Sequence, residues 1–238
     1  MLSISVGYIK IYFKDNFMKD VCVFMHGSGG ISKANLWYVK FLVNSGMTVF
    51  VPNNEIICPS CTGYSSSFEK LLVDNKMKNL YKKIIRLRTK QITQTIDLIS
   101  SLNYKGKISL YGISEGSIIV ARYTNEKRNG LINKKVIMAY SPEYNYYAET
   151  NKPLRGKKNI IKINIVGKKD EYFGNIKNSI AGKYAKYINK PIEGNMLQTC
   201  VQGGHKCKVY ILEDCTHDLT KNKSLLRNIL KTVIHSQM

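Results

Sequence analysis

The chain has 238 residues, is 44% hydrophobic and 22% charged, and carries a formal net charge of +21 at pH 7. This composition excludes a disordered, fibrous or low-complexity protein, and no apolar run approaches the ~20 residues that a membrane-spanning helix needs. Because the lysines are scattered and no zinc-finger, basic-zipper or RNA-recognition motif accompanies them, we predict no specific nucleic-acid partner.

Short apolar runs alternate along the chain with longer stretches of helical periodicity, the pattern of a parallel sheet with crossover helices. The first dozen residues alternate like a strand and do not form the apolar block of a signal peptide. Further strands are predicted at 21–25, 47–51, 107–111, 135–140, 160–166 and 208–212, and helices at 35–43, 80–102, 115–123 and 219–234. We therefore predict an α/β fold with a mainly parallel central sheet and helices on both faces.

Residues 53–79 lose this periodicity between a predicted strand and a predicted helix. Long excursions of this kind are usually functional, and we expect this one to cover the active site. The sequence has no internal repeat and no linker rich in proline, glycine or serine. We therefore predict a single domain over residues 1–238.

The predicted strand at 107–111 runs into Gly112-Ile-Ser-Glu-Gly116, a G-x-S-x-G motif that is followed by an apolar helix start. In this context the motif forms a sharp strand-to-helix turn that holds the serine in a strained conformation. The flanking glycines are needed because a Cβ there would collide with the neighbouring strand and helix. The turn lifts Oγ of Ser114 clear of the sheet at a helix N-terminus, which favours developing negative charge. Ser114 is thus the predicted nucleophile, the alternative being a tight turn with an incidental serine.

A serine nucleophile needs a base, and the chain contains four histidines. Only His217 lies between the last predicted strand and the last predicted helix. Parallel strands present their carboxyl ends at one edge of a sheet, so we expect His217 at the same edge as Ser114.

The base in turn needs a carboxylate that orients its ring and stabilises the imidazolium. Asp170 emerges directly after a predicted strand, at the same sheet edge. Glu171 competes as its neighbour, whereas Asp214 and Asp218 flank the histidine but are poorly placed to reach the back of the ring. With Asp170, the order along the chain is serine, aspartate, histidine, which is the order in hydrolases with this turn.

The turn after the strand at 21–25, His26-Gly-Ser-Gly-Gly30, is rich in small residues that let backbone N–H groups approach a bound oxygen. We predict that an oxyanion is bound by the amides of Ser28 and of Glu115, the residue after the nucleophile. The first histidine of this turn is expected to brace it rather than to accept protons. Gly27 is a candidate substrate contact.

Together these segments resemble the α/β-hydrolase superfamily, and within it the dienelactone-hydrolase-like branch. The resemblance spans nearly the whole chain and rests on the segments at 26–30, 80–88, 112–116, 166–170 and 216–217. It implies the α/β-hydrolase fold and transfer of an acyl group to water from a small ester-type substrate. The founding dienelactone hydrolases use a cysteine nucleophile where this chain has Ser114, so their lactone substrate does not carry over. We predict no cofactor and no metal.

Two further residues are candidates for substrate binding. Arg88, or Arg86 two residues before it, is suited to bind a substrate carboxylate, as hydrolases of anionic lactones require, or to pair with Glu69 or Asp74. Tyr140 begins a tyrosine-rich segment at the predicted sheet edge, where it either lines the acyl pocket or packs in the core.

Six cysteines are many for a reduced cytosolic protein of this size. Four of them are candidates for chemistry: Cys58, Cys61, Cys200 and Cys207. They allow a zinc site, in which His205 is the alternative to Cys207 as a ligand, a C-x-x-C redox pair, disulfides such as that between Cys200 and Cys207, or free thiols. The chain as given is expected in the cytoplasm, whereas paired cysteines would indicate export with a missing signal.

Two other classes of function are open from the sequence. A serine peptidase or an acyltransferase is compatible with the same fold, since the fold does not fix the acceptor or the leaving group. A non-catalytic protein that binds nucleic acid or an anionic membrane through its charge is the second class, and an intact set of serine, aspartate and histidine argues against it. The sequence predicts no particular oligomeric state.

Overall fold

A computed structural model describes residues 1–15, 17–53, 75–124, 128, 130–140, 157–171 and 206–235. The strands within these ranges are β1 (Leu2–Val6), β2 (Ile9–Phe13), β3 (Asp20–Met25), β4 (Met47–Pro52), β5 (Ile108–Ile113), β6 (Ile132–Met138), β7 (Ile161–Gly167) and β8 (Cys207–Leu212). The helices are α1 (Lys33–Asn44), α2 (Asn75–Ser101), α3 (Glu115–Arg122) and α4 (Lys223–His235), and a 3₁₀ turn (Leu219–Asn222) precedes α4.

The described strands form one sheet in the order β1-β2-β4-β3-β5-β6-β7-β8. From β4 to β8 all neighbours are parallel, whereas β1 and β2 are antiparallel additions at one edge. β4 and β7 are buried along their whole length and β5 at all residues but its last, which explains why they appear in the sequence as largely apolar runs. The predicted α/β class with a mainly parallel sheet is confirmed.

Successive side chains of a strand point to opposite faces of the sheet, and helices cover both faces. Val21 and Val23 of β3 belong to a core cluster that includes residues of α2 and α3. Cys22 and Phe24 belong to a second cluster, on the other face, that includes residues of α1 and α4. All four residues are at most 1% exposed. The sheet is thus a rigid, doubly covered support for the loops at its carboxyl edge.

The amino-terminal segment differs from the prediction of one strand. It forms two antiparallel strands in which Leu2 pairs with Phe13 and Val6 with Ile9. Between them Gly7 has a φ of 55°, in the left-handed region that glycine adopts readily, and the chain reverses there. Alternation of apolar residues does not mark this reversal, because both arms of a hairpin carry it.

The other predicted elements within the described ranges are present with shifts at their ends. α2 begins at Asn75 rather than at residue 80, and no glycine or proline interrupts the added turn. The terminal helix predicted over 219–234 consists of the 3₁₀ turn and α4. Most of 53–79 lies outside the described residues, so its position over the active site, like the single-domain organisation, stays a prediction. No described helix combines the length and the apolar character that spanning a membrane requires.

Three lysines of the described residues are buried, with amines that bond backbone carbonyls. Nζ of Lys134 lies 3.3 Å from the carbonyl oxygen of Ile234 at the end of α4, and Nζ of Lys135 lies 2.7 Å from that of Tyr123 after α3. Lys162 bonds carbonyls of the turn before β7. The last turn of a helix has unpaired carbonyls and a partial negative charge, which an amine satisfies. Part of the basic excess is therefore structural.

Lys135 is expected to make stability depend on pH above neutrality. Its burial, together with the charge of Lys162, lowers its pKa to about 7 from an ordinary value of 10.5. Between these values the unfolded chain binds more protons than the folded one, so the free energy of unfolding rises with pH, by up to about 1.4 kcal/mol per pH unit. Urea denaturation at several pH values between 7 and 10 should show a smaller rise for Lys135→Met. Lys90→Met, which changes an exposed lysine of α2, is the control, and equal slopes in all three proteins would contradict the prediction.

Candidate active site

Ser114 occupies a sharp turn between β5 and α3. Its φ is 54° and its ψ is −123°, a conformation that non-glycine residues avoid and that costs about 1–3 kcal/mol. The backbone around it is held firmly. The Ser114 N–H donates to the Met138 carbonyl oxygen at 2.9 Å, and the Ser114 carbonyl oxygen accepts from the Ser117 N–H at 2.9 Å. Such strain at the end of a buried strand is typical of a functional position.

Close packing requires both glycines of the motif. A Cβ on Gly112 would lie 2.6 Å from the carbonyl oxygen of Gly116. A Cβ on Gly116 would lie 2.0 Å from the carbonyl oxygen of Met25 and 2.6 Å from that of His26. The start of α3 therefore rests directly on the end of β3, and only a residue without a Cβ allows this approach.

Gly116→Ala is expected to destabilise the protein by about 3 kcal/mol, because the added methyl group cannot be placed without moving β3 or α3. Gly29→Ala is the matched control in the adjacent turn, since nothing lies within 4 Å of a Cβ at that position. Thermal unfolding followed by circular dichroism measures both effects. Equal stability of the two variants would contradict the close contact between β3 and α3.

Three side chains from separate parts of the chain meet above the carboxyl edge of the sheet. Nε2 of His217 lies 2.9 Å from Oγ of Ser114, and Nδ1 of His217 lies 2.9 Å from Oδ2 of Asp170. The serine follows β5, the aspartate follows β7 and the histidine follows β8, so parallel strands that end at one edge bring them together. With its proton on Nδ1, the imidazole donates to Asp170 and is able to accept the Ser114 proton.

The aspartate and the histidine differ in their exposure to solvent. The side chain of Asp170 is 0% exposed, whereas that of His217 is 22% exposed. A buried carboxylate needs hydrogen-bond donors, and the imidazole supplies one. The arrangement therefore fixes one side of the ring inside the protein and leaves another side accessible to a small molecule.

The other acids near the histidine have different partners. Glu171 accepts a hydrogen bond from the backbone N–H of His217 at 3.1 Å, so it holds the loop rather than the ring. Asp214 is exposed and pairs with a lysine at 2.9 Å, which holds the pKa of its carboxyl below the usual value. Asp218 caps the 3₁₀ turn. The carboxylate that bonds the imidazole is that of Asp170.

Gly167 is a residue of this site that no sequence motif marks. It ends β7, and a Cβ there would lie 2.4 Å from the carbonyl oxygens of both Cys215 and Thr216. The N–H of Lys169 also donates to the Cys215 carbonyl oxygen at 3.0 Å. These contacts hold the histidine loop against the aspartate loop. The available sequence signal is a glycine that directly follows a predicted strand.

The turn after β3 lies against Ser114. A Cβ on Gly27 would be 3.4 Å from Cβ and 3.9 Å from Oγ of Ser114, so Gly27 borders the serine. The N–H of the next residue, Ser28, donates to no carbonyl of the described backbone. Glu115 is the first residue of α3, a position whose N–H has no acceptor within the helix. Both amides predicted to bind an oxyanion are therefore available as donors, in segments that adjoin Ser114.

Arg88 is buried, with 1% exposure. Its Nη1 lies 2.5 Å from Oε1 of Glu115, and its Nη2 donates to the carbonyl oxygen of His26. This burial disfavours the prediction that Arg88 binds a substrate carboxylate. The alternative partners Glu69 and Asp74 lie outside the described residues.

His26 and Tyr140 are also buried. Nδ1 of His26 lies 2.7 Å from the carbonyl oxygen of Gly27. Burial and the charge of Arg88 lower the pKa of His26 to about 3, so the imidazole is neutral near pH 7. A residue that braces the turn and does not accept protons is expected to behave in this way. Tyr140 is 1% exposed within the core cluster of α2 and α3, which favours packing over lining a pocket.

The cysteines fall into three groups. Cys207 is disulfide-bonded, with a partner outside the described residues. Cys22 and Cys215 are buried free thiols, and burial raises the pKa of both. The other three cysteines lie outside the described residues: Cys58, Cys61 and Cys200. The pairing of Cys200 with Cys207 therefore stays a prediction. Within the described ranges, no three His, Cys, Asp or Glu side chains are grouped as metal ligands.

No protein-family model and no curated protein sequence matches the chain. Solved structures match it over nearly its whole length. For a dienelactone hydrolase from Anabaena variabilis, the match covers 100% of this chain and 97% of the other, with 16% identity and a TM-score of 0.58. For Est1E from Butyrivibrio proteoclasticus with bound ferulic acid, it covers 98% of both chains, with 14% identity and a TM-score of 0.56. For a serine hydrolase without a lid from Xanthomonas campestris, the match covers 98% of this chain and 92% of the other, with 12% identity and a TM-score of 0.56.

At these identities the likeness concerns the fold. The order of the described strands, the helices on both faces and the matched structures agree with one another. The resemblance inferred from the sequence motifs is confirmed at this level. The chain has the α/β-hydrolase fold, which the solved dienelactone hydrolases share.

Proposed function

We propose that this protein is a serine hydrolase that cleaves an ester-type bond of a small acyl substrate. Ser114 is the nucleophile, His217 the base, and Asp170 the acid that orients the base. The observation that carries the proposal is the continuous chain of contacts from Ser114 Oγ through the imidazole to Asp170, with both distances at 2.9 Å. The fold supports it, since the matched structures include dienelactone hydrolases and a serine hydrolase.

In the proposed reaction, Nε2 of His217 takes the hydroxyl proton of Ser114 while Oγ attacks the substrate carbonyl carbon. The negative charge that develops on the carbonyl oxygen is bound by the N–H groups of Ser28 and Glu115. The tetrahedral intermediate then collapses: the bond to the leaving group breaks, and His217 returns the proton to that group. An acyl-enzyme remains on Ser114. Water, deprotonated by His217, attacks its carbonyl carbon; the bond to Oγ then breaks, His217 returns the proton to Oγ, and the acyl group leaves as a carboxylic acid.

Asp170 acts through the imidazole in this scheme. Its buried carboxylate accepts the proton on Nδ1 of His217, which keeps Nε2 free to take the serine proton. The same carboxylate stabilises the imidazolium that forms during each transfer. The strained turn at Ser114 supports the role of Oγ, because it exposes the hydroxyl at the start of α3 rather than within the helix.

We propose esters, lactones and thioesters as the substrate class. Each has a carbonyl carbon open to attack and a leaving group that departs with one proton, which His217 supplies. The ferulic acid bound to Est1E is a carboxylic acid, the kind of product that ester hydrolysis releases. The serine in place of the cysteine of the founding dienelactone hydrolases argues against transferring their substrate to this protein.

Labelling with a fluorophosphonate tests the proposal, because this reagent phosphonylates an activated serine far faster than an ordinary serine hydroxyl. Mass spectrometry of the intact protein is expected to show one adduct, and peptide mapping is expected to place it on Ser114. Protein unfolded in urea is the control and should not be labelled, since activation depends on His217. No adduct, or an adduct on another serine, would overturn the assignment.

A panel of p-nitrophenyl esters, aryl thioesters, lactones and anilides then defines the substrate class. We expect turnover of at least one oxygen ester or thioester, with a burst of leaving group equal to the labelled fraction of the protein. Turnover of anilides alone would instead indicate a peptidase.

A further inference from the structure

Arg88 is one of the largest fully buried side chains of the described residues, with 1% exposure. Burying a charge costs free energy unless the charge is paired and hydrogen-bonded. The partners of this guanidinium therefore identify the part of the protein that it stabilises. α2 carries it toward the Ser114 turn and away from solvent. Its place in the fold is therefore set by contacts inside the protein.

The guanidinium bridges two separate segments of the chain. Nη1 lies 2.5 Å from Oε1 of Glu115, the residue that follows the proposed nucleophile and begins α3. Nη2 donates to the carbonyl oxygen of His26, the first residue after β3. Nε has no acceptor among the described residues. The contacts of Arg88 are thus concentrated on the two segments that hold the proposed oxyanion donors.

The two segments also touch each other directly at this point. A Cβ on Gly116 would lie 2.0 Å from the carbonyl oxygen of Met25 and 2.6 Å from that of His26, so the two segments are in close contact. Gly27, the residue after His26, borders Ser114, since a Cβ on Gly27 would lie 3.4 Å from Cβ of Ser114. A small shift of either segment would therefore change the distance between the amides of Ser28 and Glu115.

We infer that Arg88 is a positioning residue for the proposed reaction: by bonding the Glu115 side chain and the His26 carbonyl, it fixes the two oxyanion-hole segments relative to each other. The inference rests on the proposed function. The His26 carbonyl and the Gly27 N–H share one rigid peptide plane, so holding that carbonyl orients the backbone that leads to Ser28. Holding the Glu115 side chain fixes the first turn of α3. Arg88 itself does not touch the substrate.

The test compares two double variants that each remove an arginine–carboxylate pair. Arg88→Met with Glu115→Met replaces the buried pair by apolar side chains of similar length, which avoids leaving one charge buried alone. Arg128→Met with Asp97→Met is the matched control, because it removes a 2.5 Å pair that lies at the surface and involves the same helix α2. Both proteins are first compared with the wild type by circular dichroism and thermal unfolding.

Hydrogen–deuterium exchange measures how firmly the backbone of each segment is held, and it does not depend on activity. We expect the peptides that cover 26–30 and the start of α3 to exchange at least tenfold faster in the buried-pair variant, while those of β5 and β6 keep wild-type protection. The control variant should exchange like the wild type at 26–30. Unchanged exchange at 26–30 in the buried-pair variant would overturn the inference, whether or not the protein is a hydrolase.

Kinetics per labelled site measure the consequence for the reaction. End-point fluorophosphonate labelling counts intact sites, and we expect kcat per site to fall about 10- to 100-fold in the buried-pair variant, with KM within about threefold. Affinity for an aryl boronic acid, whose tetrahedral adduct mimics the oxyanion, should fall in proportion to kcat. Faster exchange with unchanged kcat and boronate affinity would show that Arg88 holds the turn but does not position the donors. Failure of the wild type to react with fluorophosphonate would instead refute the proposed function, and exchange would still decide the role of Arg88.

Discussion

Replacing Ser114 with alanine is expected to lower kcat/KM by a factor on the order of 10⁵–10⁶ and to abolish fluorophosphonate labelling. The physical reason is that the variant lacks the hydroxyl that lies 2.9 Å from Nε2 of His217 and that is proposed to form the acyl-enzyme. The variant should fold normally, since alanine keeps the Cβ and the backbone of the turn is held by Met138 and Ser117. Initial rates with an activated aryl ester, together with circular dichroism, measure both properties.

His217→Gln extends this test to the base. Because the serine and the histidine act as one unit, we expect His217→Gln alone, Ser114→Ala alone and the double variant to have similar residual activity. Activity of Ser114→Ala near that of the wild type, or losses that multiply in the double variant, would contradict the proposed mechanism.

Asp170→Asn is expected to lower kcat by a factor on the order of 10⁴ while leaving KM nearly unchanged. An asparagine at this position keeps the shape of the side chain, but its amide N–H can donate a hydrogen bond to Nδ1 of His217, which favours the tautomer with its proton on Nε2. That tautomer cannot accept the proton of Ser114. Steady-state kinetics with the same aryl ester measure the loss.

Asp214→Asn is the matched control for this change. Asp214 also lies near His217 in the sequence, but its carboxylate is exposed and pairs with Lys169. We expect its kcat within about twofold of the wild type, since a surface pair contributes little. A large loss of kcat in Asp214→Asn together with a small loss in Asp170→Asn would show that Asp170 is not the acid that orients His217.

The strands that carry the site are predictable from the sequence because their signals are local. The apolar runs at 21–25 and 107–111 become β3 and β5, with ends shifted by two residues or fewer. The turn at Ser114 is equally local, since the two glycines around it allow an approach that any Cβ would prevent. The hairpin at Gly7 shows the limit of such signals, because alternation is the same in one strand and in two.

The partner of Arg88 was not predictable in the same way. The sequence suggests nearby acids such as Glu69 or Asp74, whereas the structure pairs Arg88 with Glu115, 27 residues away. An arginine on a helix reaches acids on several sides, and its sequence neighbours do not decide among them. The packing of α2 against α3 brings Glu115 within reach, and the same packing turns a candidate substrate contact into a buried bridge.

The sequence alone determined the α/β class, the order of the strands along the chain from β3 onward, and which residues stand at the carboxyl ends of those strands. These properties follow from apolar periodicity and from steric rules that act over a few residues. Only the tertiary structure decided that the imidazole of His217 bonds Asp170 while its backbone bonds Glu171. That choice depends on the direction of two loops to within about an ångström, and contacts between distant residues, such as Gly167 against Cys215, set that direction.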